Sequence, residues 1–311
     1  MDYNNAAAAV CGLLFVVGCS AAGASEDRGL DPVAPNQAGS AGTAGTGGSS
    51  SQGGSGGGPV LNVPMGGMAP VEECSPKIIG LLRDYQTYRG TINPVPMSAL
   101  ETCPVYGDFQ APWTVAVPGL GNPEPGIPMV TLGADSKPVF SGGSFHTITS
   151  ADTFNGWYRD DAKCNQTFEH ELTMTPDPLT GNSVFDSPRF FPLDGKGYGL
   201  SGRDGLPEDG QNEHNFHFTF ELHMTFKYNP GDVFSFKGDD DLWVFIDKKL
   251  VIDLGGAHAP MEASVQLDSL GLEAGKEYPI DFFHAERAAS QSNFHIETSL
   301  QFTNCKPIIV R

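Results

Sequence analysis

The 311-residue chain is poor in positive charge: Lys and Arg number 18 against 37 Asp and Glu, giving a formal charge of -19. No basic face can then neutralise phosphates, which argues against a nucleic-acid partner and favours a soluble, cation-attracting surface. Long apolar runs are scarce. The run at residues 6–17 is about a dozen residues long, too short to span a bilayer. The sequence has no H-E-x-x-H, so this hydrolytic signature is missing. It has no C-x-x-C and no tight Cys/His spacing, which disfavours a zinc site. It also lacks a long amphipathic helical pattern, which points away from a helical fold.

What is present begins with an export signal. The apolar run ends in Val16-Val17-Gly18-Cys19-Ser20, which resembles a bacterial lipobox. On this reading residues 1–18 are a lipoprotein signal peptide and Cys19 carries the lipid, an anchor that does not span the membrane. Ser20 after the cysteine directs such a protein to the outer membrane of a Gram-negative cell, so a cell-surface location is expected. Residues 1–5 carry no Lys or Arg, a departure from ordinary signals. The alternative is a secretory signal with an incidental cysteine, which gives a secreted protein. Residues 19–72 are rich in Gly, Ser and Ala and cannot build a core. They read as a disordered tether with an r.m.s. reach of roughly 40 Å.

Of six cysteines, Cys11 leaves with the signal and Cys19 is lipidated. Cys74, Cys103, Cys164 and Cys305 remain, an even number suited to an oxidising compartment. Three pairings are possible. Cys74 and Cys305 bracket the remaining region, so Cys74–Cys305 with Cys103–Cys164 is the first choice.

Residues 73–311 read as one all-β domain, an antiparallel β-sandwich. Phe216, Phe218, Phe220, Leu222, Met224 and Phe226 alternate with His217, Thr219, Glu221, His223 and Thr225. That is the period of a strand with one buried face and a polar outer face. Phe294, Ile296, Thr298, Leu300 and Phe302 repeat it. Residues 242–246 are apolar on both faces and belong inside the sandwich. They turn at Asp247-Lys248-Lys249 into residues 250–254.

Asp239, Asp240 and Asp241 stand directly before that buried strand. Three adjacent carboxylates repel one another unless a positive charge sits among them. A hard cation held by oxygen ligands fits, calcium best of all. The other reading is a solvated acidic turn. In regular β structure Asp239 and Asp240 point to opposite faces, so sharing one ion requires a bulge or a cis peptide.

A family resemblance emerges from several segments together. They are Trp157-Tyr158-Arg159-Asp160, Phe191-Pro192-Leu193-Asp194-Gly195, Asn215-Phe216-His217-Phe218-Thr219, Gly238-Asp239-Asp240-Asp241-Leu242-Trp243, Asp253-Leu254-Gly255-Gly256-Ala257-His258 and Ala285-Glu286-Arg287 with Ser292-Asn293-Phe294. In order, over residues 78–302, they resemble the fibro-slime domain. That family is a relative of the jelly-roll-like, protective-antigen-type sandwich of yeast flocculins, slime-mould secreted factors and some glycosidases. Tyr106-Gly107-Asp108-Phe109-Gln110 departs from the usual His-Pro-Asp-Phe-Glu, and Lys248 stands where the hairpin usually has Gly. The resemblance implies an extracellular recognition domain, often calcium-dependent and carbohydrate-binding. It implies that Asp239 and Asp240, joined by a cis bond, hold Ca2+ with Asn293 and backbone carbonyls of residues 288–292. Asp241 is then a supporting acceptor or simply exposed. Arg287 either reaches a bound sugar or pairs with Asp253 or Glu286 to shape its loop, the second being preferred. Trp243 is expected in the core, and Trp157 is the better exposed platform for a sugar ring. His258 reads as a turn residue, and His217 and His223 stand too far apart to chelate one ion.

Three functions follow in order of preference. The first is a surface-tethered, calcium-dependent carbohydrate-binding or adhesion lipoprotein whose partner is an extracellular glycan or matrix polysaccharide. The second is a glycan hydrolase pairing Glu286 with Asp240 or Asp253. The third is a structural envelope or matrix protein with a stabilising calcium.

Overall fold

Period-two alternation becomes strands throughout, and the strands stack because each has an apolar row that needs covering. A computed structural model of the chain describes residues 77–86, 96–109, 121–203, 213–289 and 291–304. Cys11, Cys19, Cys74 and Cys305, with the expected signal, tether and first disulfide, lie outside the described residues. In chain order the strands are β1 (Lys77–Tyr85), β2 (Asn165–Thr173), β3 (Thr175–Pro176), β4 (Ser183–Ser187), β5 (Gly202–Arg203) and β6 (Glu213–His214). They continue with β7 (Phe218–Lys227), β8 (Val233–Gly238), β9 (Asp241–Ile246), β10 (Lys249–Leu254), β11 (Met261–Gln266), β12 (Glu277–Glu286), β13 (Phe294–Thr298) and β14 (Gln301–Asn304). Among the described residues there is one short α-helix, α1 (Ala151–Asn155), beside three 3-10 turns; Ser150 caps α1 by accepting from the Thr153 amide.

A seven-stranded antiparallel sheet runs β10-β9-β12-β7-β1-β2, with β14 paired to the far end of β7. A five-stranded sheet runs β11-β8-β13-β4-β3. Phe218, Phe220, Leu222, Val244, Ile280 and Phe282 of the large sheet meet Phe234, Phe236, Phe294 and Ile296 of the small one in a common core. The expected β-sandwich is therefore present.

The other face of the large sheet is covered as well. Trp243, Phe245, Phe283 and Ala285 pack under Phe109, Ile127, Leu132, Phe154 and Trp157 from the irregular segments 96–109 and 121–160. This cover is stapled by the Cys103–Cys164 disulfide, one of the two pairings expected. It corrects the reading of β7: Thr219, Glu221 and His223 form no outer face but are buried. It also explains β9, buried at every position because apolar layers lie on both of its sides.

One local expectation changes: the run from Phe294 to Phe302 is two strands, broken at Ser299-Leu300. At the β9–β10 hairpin the missing glycine is met by backbone strain without added length: Asp247 and Lys248 form a two-residue turn with φ of 50° and 63°. That left-handed pair matches the right-handed twist of the flanking strands.

Candidate functional site

The three aspartates sit where β8 hands over to β9, facing residues 286–293, which lead from β12 into β13. Gly238 is required there, since a Cβ would stand 2.3 Å from the Asn293 carbonyl oxygen. The Asp239–Asp240 peptide bond is cis. Asp239 accepts from the Asn293 amide (2.5 Å) and from Asn293 Nδ2 (3.0 Å). Asp240 Oδ2 accepts from the backbone N–H groups of Arg287 (2.9 Å) and Ala288 (2.6 Å). Asp239, Asp240 and Asn293, the expected metal ligands, are thus brought together.

Asp241 points the other way, into the covered face, and is fully buried rather than exposed. Its Oδ2 accepts from Arg287 Nε at 2.6 Å, and its Oδ1 accepts from Arg287 Nη2 at 3.1 Å and from Gly256 N at 2.6 Å. Arg287, also fully buried, donates from Nη1 to the Thr147 carbonyl at 2.7 Å and lies 4.7 Å from the Trp157 ring centre. Its partner is therefore Asp241, neither Asp253 nor Glu286. A fully buried guanidinium has no route to a sugar, so Arg287 and Asp241 hold the loop. Trp157 is fully buried, with Nε1 donating to Asp108, and cannot serve as the expected exposed platform. Trp243 is in the core as expected. His258 faces the carbonyl oxygens of Ala259 and Leu254, in keeping with a local turn role. His217 precedes β7 instead of sharing its face with His223, at φ 67°.

The electrostatics of this mouth are one-sided. Burial, then Asp239 and Asp241, hold the Asp240 carboxyl well above the usual carboxylate range. Burial, then Asp240 and Asp239, do the same to Glu286, and burial also raises Asp239. Glu286, the last residue of β12, is fully buried; its carboxylate oxygens make no well-formed hydrogen bond, and the polar side chains beside them are those of Asp240 and Ser292. His284 adds little positive charge: burial pushes it down to about 4, and its Nε2 bonds to the Asp239 carbonyl oxygen. The donors are carboxylate and amide oxygens, suited to a hard cation. Their uncompensated charge and the poorly bonded Glu286 oxygens fit such a cation. Among the described residues no three His, Cys, Asp or Glu side chains already stand in metal-binding geometry.

Reading the sequence missed a second buried cluster. Glu221 accepts from Lys137 Nζ (2.6 and 2.7 Å) and Arg83 Nη1 (2.9 Å), and Arg83 Nε donates to Asp160 (2.9 Å). His223 and Asp281 meet at 2.7 Å beside it. Burial raises Glu221, but His223, Arg83 and Lys137 together hold it down at about 2. The sequence signal was a Glu and a His two apart on one strand. Only the cover over that face makes them a buried network.

Comparison with known proteins adds the following. Residues 202–309, which contain the whole acidic mouth, match the family model described as the PA14 domain. Protein psiQ of Dictyostelium discoideum is 38% identical over 203 residues, 63% of this chain and 20% of psiQ. Protein psiC of the same organism is 39% identical over 183 residues, 56% of this chain and 35% of psiC. A PA14 sugar-binding domain from an RTX adhesin matches at 13% identity over 39% of this chain and 71% of that one, with a TM-score of 0.22. A subtype-switched Epithelial Adhesin 9 A domain from Candida glabrata, in complex with beta-lactose, matches at 12% identity over 72% and 83%, with a TM-score of 0.28. The chain spans about a fifth to a third of the length of these curated relatives, and its likeness to a PA14 domain falls on β5 through β14.

Proposed function

We propose that the chain is a calcium-dependent carbohydrate-binding or adhesion protein. The observation that carries this reading is the acidic mouth: Asp239 and Asp240 side by side on a cis bond, gripped by the 287–293 loop, with more carboxylates than cations. The match of residues 202–309 to the PA14 domain supports it. Asp239, Asp240 and Asn293 would hold the ion. Calcium bound there supplies a Lewis-acidic centre that hydroxyl oxygens of a sugar can join. The protein's own part is to fix the loop. Arg287 ties it to Asp241 and Thr147, and the Asn293 side chain and the Arg287 and Ala288 amides set the distance between loop and aspartates. Cys19 as a lipid anchor and residues 19–72 as a tether complete the proposal, presenting the domain to extracellular glycan from a cell surface.

Glycan hydrolysis has less support. Glu286 is fully buried, and Asp253 is committed to Trp243 Nε1 and the Gly126 and Gly255 amides. The test is a melting curve of the oxidised full chain in calcium and in chelator, beside Asp240→Ala, followed by a glycan array in both conditions. A calcium-dependent rise in Tm that the variant loses, with glycan signals that vanish in chelator, is the expected outcome. An unchanged wild-type Tm would sink the calcium reading. A calcium shift without glycan signals would leave the ion as a structural brace.

A further inference from the structure

The mouth holds four carboxylates, Asp239, Asp240, Asp241 and Glu286, all at most 5% exposed. Arg287 neutralises one of them, Asp241. Counted as ionised, four carboxylates against this one guanidinium leave an excess of negative charge that a divalent ion would offset.

Glu286 is the residue this arithmetic leaves unexplained. It sits at the root of the gripping loop, and the amides of the next two residues hold Asp240. Its electrostatic neighbours are Asp240 and Asp239, not a lysine or arginine. The Ser292 hydroxyl nearby donates to the Phe190 carbonyl instead. A carboxylate sealed from water without a well-formed hydrogen bond is unfavourable, and folded chains rarely keep one unless something absent completes it.

We propose that Glu286 is a third carboxylate ligand of the cation: Asp239, Asp240 and Glu286 do not yet stand in metal-binding geometry, and the ion draws their carboxylates together when it binds. This rests on the cation reading above and extends it. The site then carries three free carboxylates, not two, and discriminates by charge: monovalent ions are excluded and trivalent lanthanides bind more tightly than calcium.

The experiment uses the full chain stripped of metal, as wild type, Glu286→Gln, Glu286→Asp and Asp240→Ala. Calcium and terbium affinities are measured by calorimetry, and Tm is measured in chelator. For Glu286→Gln the expected result is a calcium affinity at least tenfold weaker, a larger loss for terbium, and a Tm in chelator equal to or above wild type. Glu286→Asp, which keeps the charge on a shorter arm, falls between. A brace role with no contact to the ion predicts the reverse, a lower Tm in chelator and unchanged affinities. Calcium affinity within twofold of wild type in Glu286→Gln would overturn the proposal, since Glu286 would then only share a proton with Asp240. If the wild type itself binds neither ion and Asp240→Ala changes nothing, the cation reading fails together with this one. If Asp240→Ala abolishes binding and Glu286→Gln does not, only the role of Glu286 fails.

Discussion

Two clusters of buried charge lie on this domain and differ in balance. Around Glu221, Arg83 and Lys137 supply two cations to one carboxylate, with Asp160 and the His223–Asp281 pair completing the set. Around Asp240, four carboxylates share one guanidinium. The first cluster pulls its central carboxylate down to about 2, whereas the second pushes its own up. Burial is the same in both, so depth alone does not decide the charge state; partners do. A self-sufficient cluster reads as structure, and the shortage of positive charge in the other is what the proposed ion would relieve.

The comparison breaks most visibly at its balanced side. Glu221→Ala leaves Arg83 and Lys137 buried without their partner and is expected to cost about 3–5 kcal/mol, measured by denaturant unfolding. Next in size is the ion itself. Calcium at about a hundred times its dissociation constant should stabilise the wild type by about 2.7 kcal/mol. A Lys137→Met variant should keep that increment in melting curves although it starts from a lower baseline, because Lys137 belongs to the other cluster.

Smaller effects appear in pH dependence and sharpen the contrast. Glu221 sits below its unfolded value, so its contribution is present above about 4.5 and is lost as pH falls toward about 2. His217, pushed by burial down to about 3, stabilises above about 6.5 and loses this as pH falls. Asp84 goes the opposite way: burial raises it to about 7, so its contribution is full below about 3.8 and is lost as pH rises through about 7. Asp84→Asn should therefore flatten the stability profile between pH 4 and 7 and leave the acid limb intact, as read by urea midpoints across pH. The smallest effect is expected at the surface. Lys77 and Glu171 meet at 2.8 Å but are half exposed, and Lys77→Ala should change stability by less than about 1 kcal/mol in the same assay.

Legibility followed periodicity. Strands β7, β9, β12 and β13 were visible because alternating or doubly apolar runs have no other good use. The Asp239–Asp240 mouth was visible because adjacent carboxylates before a buried strand are unusual, and Asn293 came with the resemblance. Trp157 was misjudged because a tryptophan in an irregular segment gives no periodic sign of its face, and the cover buries it. Arg287 was assigned to Asp253 or Glu286 because chain proximity says nothing about which way a side chain leaves the end of a strand. Asp241, opposite Ala285 in the sheet, is on its side. Residues 96–109 and 121–160 hid the most: segments without period carry almost no signal, yet they form a third layer over the sandwich.

The sequence by itself determined the all-β class, the hairpin at residues 247–248 and the acidic mouth of Asp239 and Asp240, since all of these are local patterns of polarity and charge. The tertiary structure alone decided which carboxylates are paired. Arg83, Lys137 and Glu221 are far apart in the chain and meet only when β1, β7 and the covering segment close. Glu286 comes to lie fully buried beside Asp240 and Asp239, far from it in the chain, only through the fold. Charge compensation is a short-range matter of ångströms in a dry interior, and only the fold sets those distances.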